Sequence, residues 1–189
     1  MVRVASLKDM VHANYKKKDI AGMSASEQLE KINERTRELV TLQYNTYNRS
    51  LVPLMHQHGI VVIDAFEDLS ESQAAFVDRY FEDNVYPVLT PMAVDASRPF
   101  PLIRNKTLNI AALLSKKKGK AEKEEIEFAT VQVPSVLPRL VHIPSEDGNE
   151  KTFILLEQVI ERNIDKLFLN YDVLCAYPYR VMRNADLSI

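Results

Sequence analysis

The sequence is poor in the residues on which several function classes depend. It has one cysteine, Cys175, so no internal disulfide can form and a stapled secreted scaffold is excluded. Cys175 sits among Val173, Leu174, Ala176 and Tyr177 with no histidine near it in sequence, which reads as a core thiol and not as an activated nucleophile. Only four glycines are present, and neither G-x-x-x-x-G-K-[ST] nor G-x-G-x-x-G occurs, so a glycine-rich phosphate cradle is not expected. C-x-x-C and H-E-x-x-H are also missing. No apolar run approaches the roughly 20 residues of a membrane span. Met1 to Ile20 carries charges throughout and lacks the apolar stretch of a signal peptide, which makes a cytoplasmic location the expectation. Charge of one sign is lacking too: 24 basic against 26 acidic residues give a formal net charge of −2. No global field would draw the chain onto nucleic acid, and nucleic acid is not expected as a partner.

What is present supports a core. Of 189 residues, 46% are hydrophobic and 26% charged, the balance of an ordinary globular protein. The pattern changes near Pro87 to Pro101, and we expect an α+β chain: a small antiparallel helical bundle over 1–86, then a mixed strand and helix domain over 87–189. Val2 to Tyr15 has helical spacing but no start signal, so the helical domain is expected to be incomplete at its start. Ser24 with Glu27, and Ser70 with Gln73, form capping boxes that start helices. After Ser24 an apolar stripe runs from Leu29 and Ile32 through Leu39, Val40, Tyr47, Leu51 and Leu54 to Met55 on one helical face, and tertiary packing is needed to hold it. Pro53 predicts a kink or a new turn, and Gly59 a stop. Ala74, Val77, Tyr80, Phe81 and Val85 make a second helical face. Four prolines between Pro87 and Pro101 predict an extended connection. Strands are expected over Leu108–Leu114, Glu127–Val133, Leu140–Ile143 and Val173–Met182. Hairpin residues 116–123, a polar turn at 146–150 and an amphipathic helix over Phe153–Phe168 lie between them. The chain stops at Ile189 without a terminal signal, so the second domain is expected to be incomplete at its end.

No catalytic constellation emerges. His56 and His58 are two apart on a helix end and point to different faces, a poor metal pair. His12 and His142 are isolated, so no metal ligands are assigned. Two basic clusters remain. The first is Arg98, Arg104, Asn105 and Lys106, beside Phe100 and Pro101. Arginine offers a planar fork of donors suited to phosphate and lysine a point charge, so this segment can line an anionic groove. The same side chains can instead tie the loop to backbone carbonyls. The second is Arg180, Arg183 and Asn184, with Asp186 close enough to make a local salt bridge the alternative. The lysines between Lys116 and Lys123 alternate with glutamates and read as a solvated hairpin tip.

At these clusters the sequence resembles a known family. The stretch YFEDNVYPVLTPMAVDASRPFPLIRNKTLN (Tyr80 to Asn109), then VPSVLPRLVHIP (Val133 to Pro144) and YRVMRNADL (Tyr179 to Leu187), follow the order seen in polyphosphate kinases of the phosphohistidine type. The opening MVRVASLKD is similar to the end of that family's first helical stretch. The resemblance implies a large four-domain enzyme that moves the terminal phosphate of ATP reversibly onto polyphosphate with magnesium. A helical domain and a head domain precede two catalytic domains, and the head mediates subunit contacts, which implies a homo-oligomer that is cytoplasmic or membrane-associated. This chain then holds most of the first two domains, and its partners are ATP, polyphosphate and the remaining catalytic domains. The phosphorylated histidine, the magnesium-binding arginines and most ATP contacts belong to the catalytic domains and match no residue here. No catalytic residue and no cofactor are therefore assigned to the fragment, which is expected to be inactive alone. Arg104, Lys106 and Arg183 are the expected substrate-channel residues, with Arg98, Asn105 and Arg180 behind them. The alternative is a freestanding anion-binding or assembly module without catalysis.

Overall fold

The computed structural model describes residues 2–94, 100–116, 126–145, 148 and 150–183. Its chain divides into two compact units, one of 1–58 with 183–189, the other Gly59–Met182.

The first unit is helical. Helix α1 spans Val2–His12 and α2 spans Ala25–Thr46. Asp19 shapes the turn between them, its Oδ1 accepting the backbone N–H groups of Ala21 and Met23 at 2.9 Å. The Ser24 capping box forms: Ser24 Oγ accepts from the Glu27 N–H at 3.3 Å, and the Glu27 carboxylate accepts from the Ser24 N–H at 2.7 Å. Pro53 acts as its chemistry requires. It has no N–H for a regular turn, and a π-helical turn over Tyr47–Leu51 precedes α3, Val52–Gln57. Gly59, at φ 67°, takes the left-handed conformation that ends the helix. Helix α1 covers only the beginning of α2, where Arg3 Nη2 donates to Gln28 Oε1 at 2.6 Å. Eleven residues extend about 16 Å, far too little to cover the stripe that continues to Met55. The packing expected for that stripe is thus found only in part: Leu29, Ile32 and Met55 are half-buried, whereas Leu39, Leu51 and Leu54 stay about half exposed.

The second unit builds two sheets around one core. Strands β1 (Ile60–Val62), β5 (Leu140–Ile143) and β6 (Lys151–Leu155) form a sheet of order β1-β6-β5, with β1 parallel and β5 antiparallel to β6. Strands β2 (Pro91–Val94), β3 (Leu108–Lys116), β4 (Ile126–Gln132) and β7 (Tyr171–Arg180) form an antiparallel sheet of order β2-β4-β3-β7. Helix α4 (Glu71–Tyr80), capped by Ser70 and Gln73 as expected, continues through a π turn, Phe81–Val85. Helix α5 is Leu156–Arg162. Val77, Phe81 and Val85 from α4 and its extension meet Ile110 and Leu114 of β3, Val131 of β4, Ile143 of β5, and Leu156, Val159 and Ile160 of α5 in one buried cluster. Asp78 and Arg162 clamp the two helices through paired bonds of 2.7 and 3.0 Å, and Lys166 reaches Glu82 at 2.8 Å.

The α+β class is the one expected, but three details differ. Residues 59–86 pack with the sheets, so the division falls before β1 and not near Pro87. The reason is that Val77, Phe81 and Val85 find their buried partners on β3, β4 and α5. The proline-rich connection contains a strand, β2. Its only proline, Pro91, is its first residue, and β2 is a sheet edge, the position where a missing N–H is tolerated. The helix expected over Phe153–Phe168 begins three residues late because Phe153, Ile154 and Leu155 belong to β6, held between β1 and β5. The hairpin tip at 117–123 and most of the polar turn near Gly148 lie outside the described residues.

A cationic cavity at the end of the four-stranded sheet

Three strand ends converge where β3 begins, β4 finishes and β7 finishes. Leu108 is registered against Arg180, and the Val133 N–H donates to the Leu108 carbonyl at 2.9 Å. The segment entering β3 is pinned at both ends. Phe100 stacks on Phe128 of β4 with ring centroids 5.8 Å apart, and Ile103 is buried. Between Ile103 and β3 the chain turns through Arg104, Asn105 and Lys106. Lys106 has φ 66°, a left-handed conformation that a lysine rarely adopts. Its neighbours hold it there: the Lys106 N–H donates to the Val181 carbonyl at 2.8 Å, and Thr107 Oγ1 donates to the Arg104 carbonyl at 2.9 Å. Buried Asn109 completes the turn by donating from Nδ2 to the Thr107 carbonyl and Oγ1, at 3.0 and 3.1 Å.

This turn faces a cavity of about 420 Å³. Arg104 and Lys106 line it from the turn, Arg180 from the end of β7, and Arg139 from the chain entering β5. Among the described residues no carboxylate lines it. Arg139 is spoken for: Nε and Nη2 grip the carboxylate of Glu157 on α5, with the Nε bonds at 3.0 and 3.2 Å. The Glu157 side chain is only 6% exposed, so a charge that would be costly alone is matched by a two-pronged partner. Among the described residues, the side chains of Arg104, Lys106 and Arg180 make no ion pair or hydrogen bond. The loop is thus tied by its backbone, Thr107 and Asn109, and three cationic heads remain for an anion.

Two other hollows differ in charge. One of about 790 Å³ along α2 sets Glu30, Glu34 and Glu38 against Arg37. Another, of about 520 Å³ at the start of α4, carries Glu71 and Glu150 with its hydroxyls. Both would repel a phosphate.

Of the residues picked from sequence, Arg104, Lys106 and Arg180 are brought together. Asn105 lies in the turn between the first two. Arg183 is exposed beyond the end of β7 and falls in the other unit. Arg98, Asn184 and Asp186 lie outside the described residues. Arg139 was missed, because its partner is 18 residues on and nothing local marks the pair.

One further group on α5 is electrically perturbed. Burial, together with the charges of Glu157 and Glu67, pushes the Glu161 carboxyl up to about 7. Among the described residues no group of three or more His, Cys, Asp or Glu side chains comes together as a metal would need, and no helix is long and apolar enough to cross a membrane.

The two halves of the chain match two kinds of module: residues 1–63 fit the polyphosphate kinase N-terminal domain and residues 72–189 the polyphosphate kinase middle domain. The chain belongs to the polyphosphate kinase family. It is 49% identical over its whole length to polyphosphate kinase from Lactiplantibacillus plantarum and 46% identical to that from Halalkalibacterium halodurans, covering 25% and 26% of those proteins. Its fold is similar to the crystal structure of polyphosphate kinase from Porphyromonas gingivalis, with a TM-score of 0.79 and 25% identity over all of this chain and 27% of that one. The chain therefore spans about a quarter of the length of the relatives it matches.

Proposed function

We propose that this chain is the substrate-handling and assembly part of an enzyme that reversibly transfers the terminal phosphate of ATP to inorganic polyphosphate. The observation that carries this reading is the cavity at the sheet end. Arg104, Lys106 and Arg180 contribute three positive charges to about 420 Å³ of space that, among the described residues, no carboxylate lines. Such a site attracts polyanions of the kind the related enzymes are named for. The transfer itself belongs to the remaining catalytic domains, with ATP and magnesium held there. Among the described residues no group of three or more His, Cys, Asp or Glu side chains comes together to hold a metal ion. The chain alone is inactive on this reading. Its exposed apolar surfaces serve contacts with those domains and with further copies in a homo-oligomer, in the cytoplasm or at the membrane surface.

Calorimetric titration with polyphosphate at low and moderate salt tests the reading. Binding should weaken as salt rises, because ions screen the attraction, and Arg104→Ala with Lys106→Ala should abolish it. Binding that survives the double substitution, or no binding at low salt, overturns the assignment. Incubation with labelled ATP should leave the chain unlabelled; covalent labelling would refute the inactivity.

A further inference from the structure

The grip of Glu157 cancels the charge of Arg139 without using up its donors. A guanidinium carries its N–H groups along two separate edges, one formed by Nε with an Nη, the other by the two Nη nitrogens. Glu157 takes the first edge: Nε donates to both carboxylate oxygens and Nη2 to one of them. Among the described residues Nη1 has no hydrogen bond or ion pair. The Arg139 side chain is 58% exposed although its partner is almost fully covered, so the edge left open is the one turned away from Glu157. The main chain is fixed as well. The Arg139 carbonyl accepts from the Leu156 N–H at 2.7 Å, so the first two residues of α5 hold both the backbone and the side chain of this arginine. Leu156 is fully buried, which ties that anchor to the core. A fork held in this way has given up its rotamer freedom before any ligand arrives. Arg104, Lys106 and Arg180 are exposed and their heads are not tethered, so they attract an anion without fixing its direction.

We infer that Arg139 is the ligand that orients an anion in this cavity, through its open Nη edge, and that Glu157 is the residue that positions it. The inference rests on the anion reading above and divides the work within it. Three untethered cations draw the anion in, and a net-neutral pair sets its orientation. Two oxygens of one phosphate group match such a planar fork, which a lysine cannot offer.

Calorimetric titration of this chain with tripolyphosphate at low and moderate salt separates the two roles. Arg139→Lys keeps the charge and a donor for Glu157 but has no second edge. It should bind about tenfold more weakly, the size of a lost hydrogen bond to a charged group. Its dependence on salt should be unchanged, because the net charge at the cavity is the same. Glu157→Gln frees the charge of Arg139 but loosens the grip on it. Binding should then depend more steeply on salt and, at moderate salt where attraction is screened, be weaker than in the unaltered chain. Full affinity in Arg139→Lys overturns the inference, and so does a loss of affinity and salt dependence together, the mark of a collapsed cavity. Should the lysine variant fail to fold, Glu157→Gln decides alone, and unaltered binding at moderate salt overturns the inference. Each of these results leaves the anion reading standing while Arg104→Ala with Lys106→Ala still abolishes binding. If the unaltered chain does not bind tripolyphosphate at low salt, both fall.

Discussion

Among the described residues of 59–182, sixteen buried apolar side chains form one cluster drawn from two sheets and two helices. In the helical unit, among the described residues, only Leu7 and Ala25 are buried apolar positions. The two regions have similar tools for starting a helix, since Ser24 and Ser70 both make complete capping boxes. What differs is what the helices lie against. Helix α4 places Val77 among strands that come from positions far along the chain, while α2 runs past the end of its short partner and leaves Leu42 and Tyr44 more than half exposed. A cap sets where a helix begins, but burial decides how much its side chains contribute to stability.

The same deletion should therefore have unequal effects in the two regions. Leu114→Ala removes a fully buried side chain from β3 and should destabilise the sheet unit by about 3 kcal/mol in chemical denaturation. Leu42→Ala, at 63% exposure, should change stability by less than about 0.5 kcal/mol. Equal losses would mean that α2 is covered in solution. Next in size is Arg139→Ala, which strands the buried Glu157 carboxylate; a loss of about 2–3 kcal/mol is expected. Glu157→Gln, which removes the charge, should cost less. The reverse order would show that the pair is not what holds Arg139 at the cavity.

A further effect depends on pH. Glu161 has its carboxyl raised from 4.5 to about 7, so the folded chain keeps a proton that the unfolded chain gives up between those values. Its contribution is fully present below about pH 4.5 and is lost as pH rises through 7. Glu161→Gln should flatten that slope and leave the protein more stable at pH 8 by about 1 kcal/mol, a modest figure because solvent screens this half-buried group. Unchanged pH dependence of the melting temperature would place the titration elsewhere.

Much of this organisation could be read from local chemistry. Both capping boxes, the disturbance before Pro53 and the stop at Gly59 depend on residues within a few positions of one another. The features that escaped depend on distant partners. Phe153 to Leu155 is apolar enough for either a strand or a helix, and only pairing with β1 and β5 decides. The dividing line near Pro87 looked natural because α4 resembles the earlier helices in sequence; what it packs on is set by β3, β4 and α5. The cavity was half legible. Arg104 and Lys106 stood out because they are close together and Arg180 because it sits in a basic cluster, while Arg139 acquires meaning only through Glu157.

The left-handed backbone at Lys106 bears on any effort to improve this protein. Glycine or asparagine adopts φ 66° more readily than lysine does. A library screened only for heat resistance or expression yield would thus favour replacing this lysine, and the winners would be sturdier proteins with one fewer charge at the mouth of the cavity. Screens on this domain need a ligand in the assay, or they will select against the feature that makes the turn worth keeping.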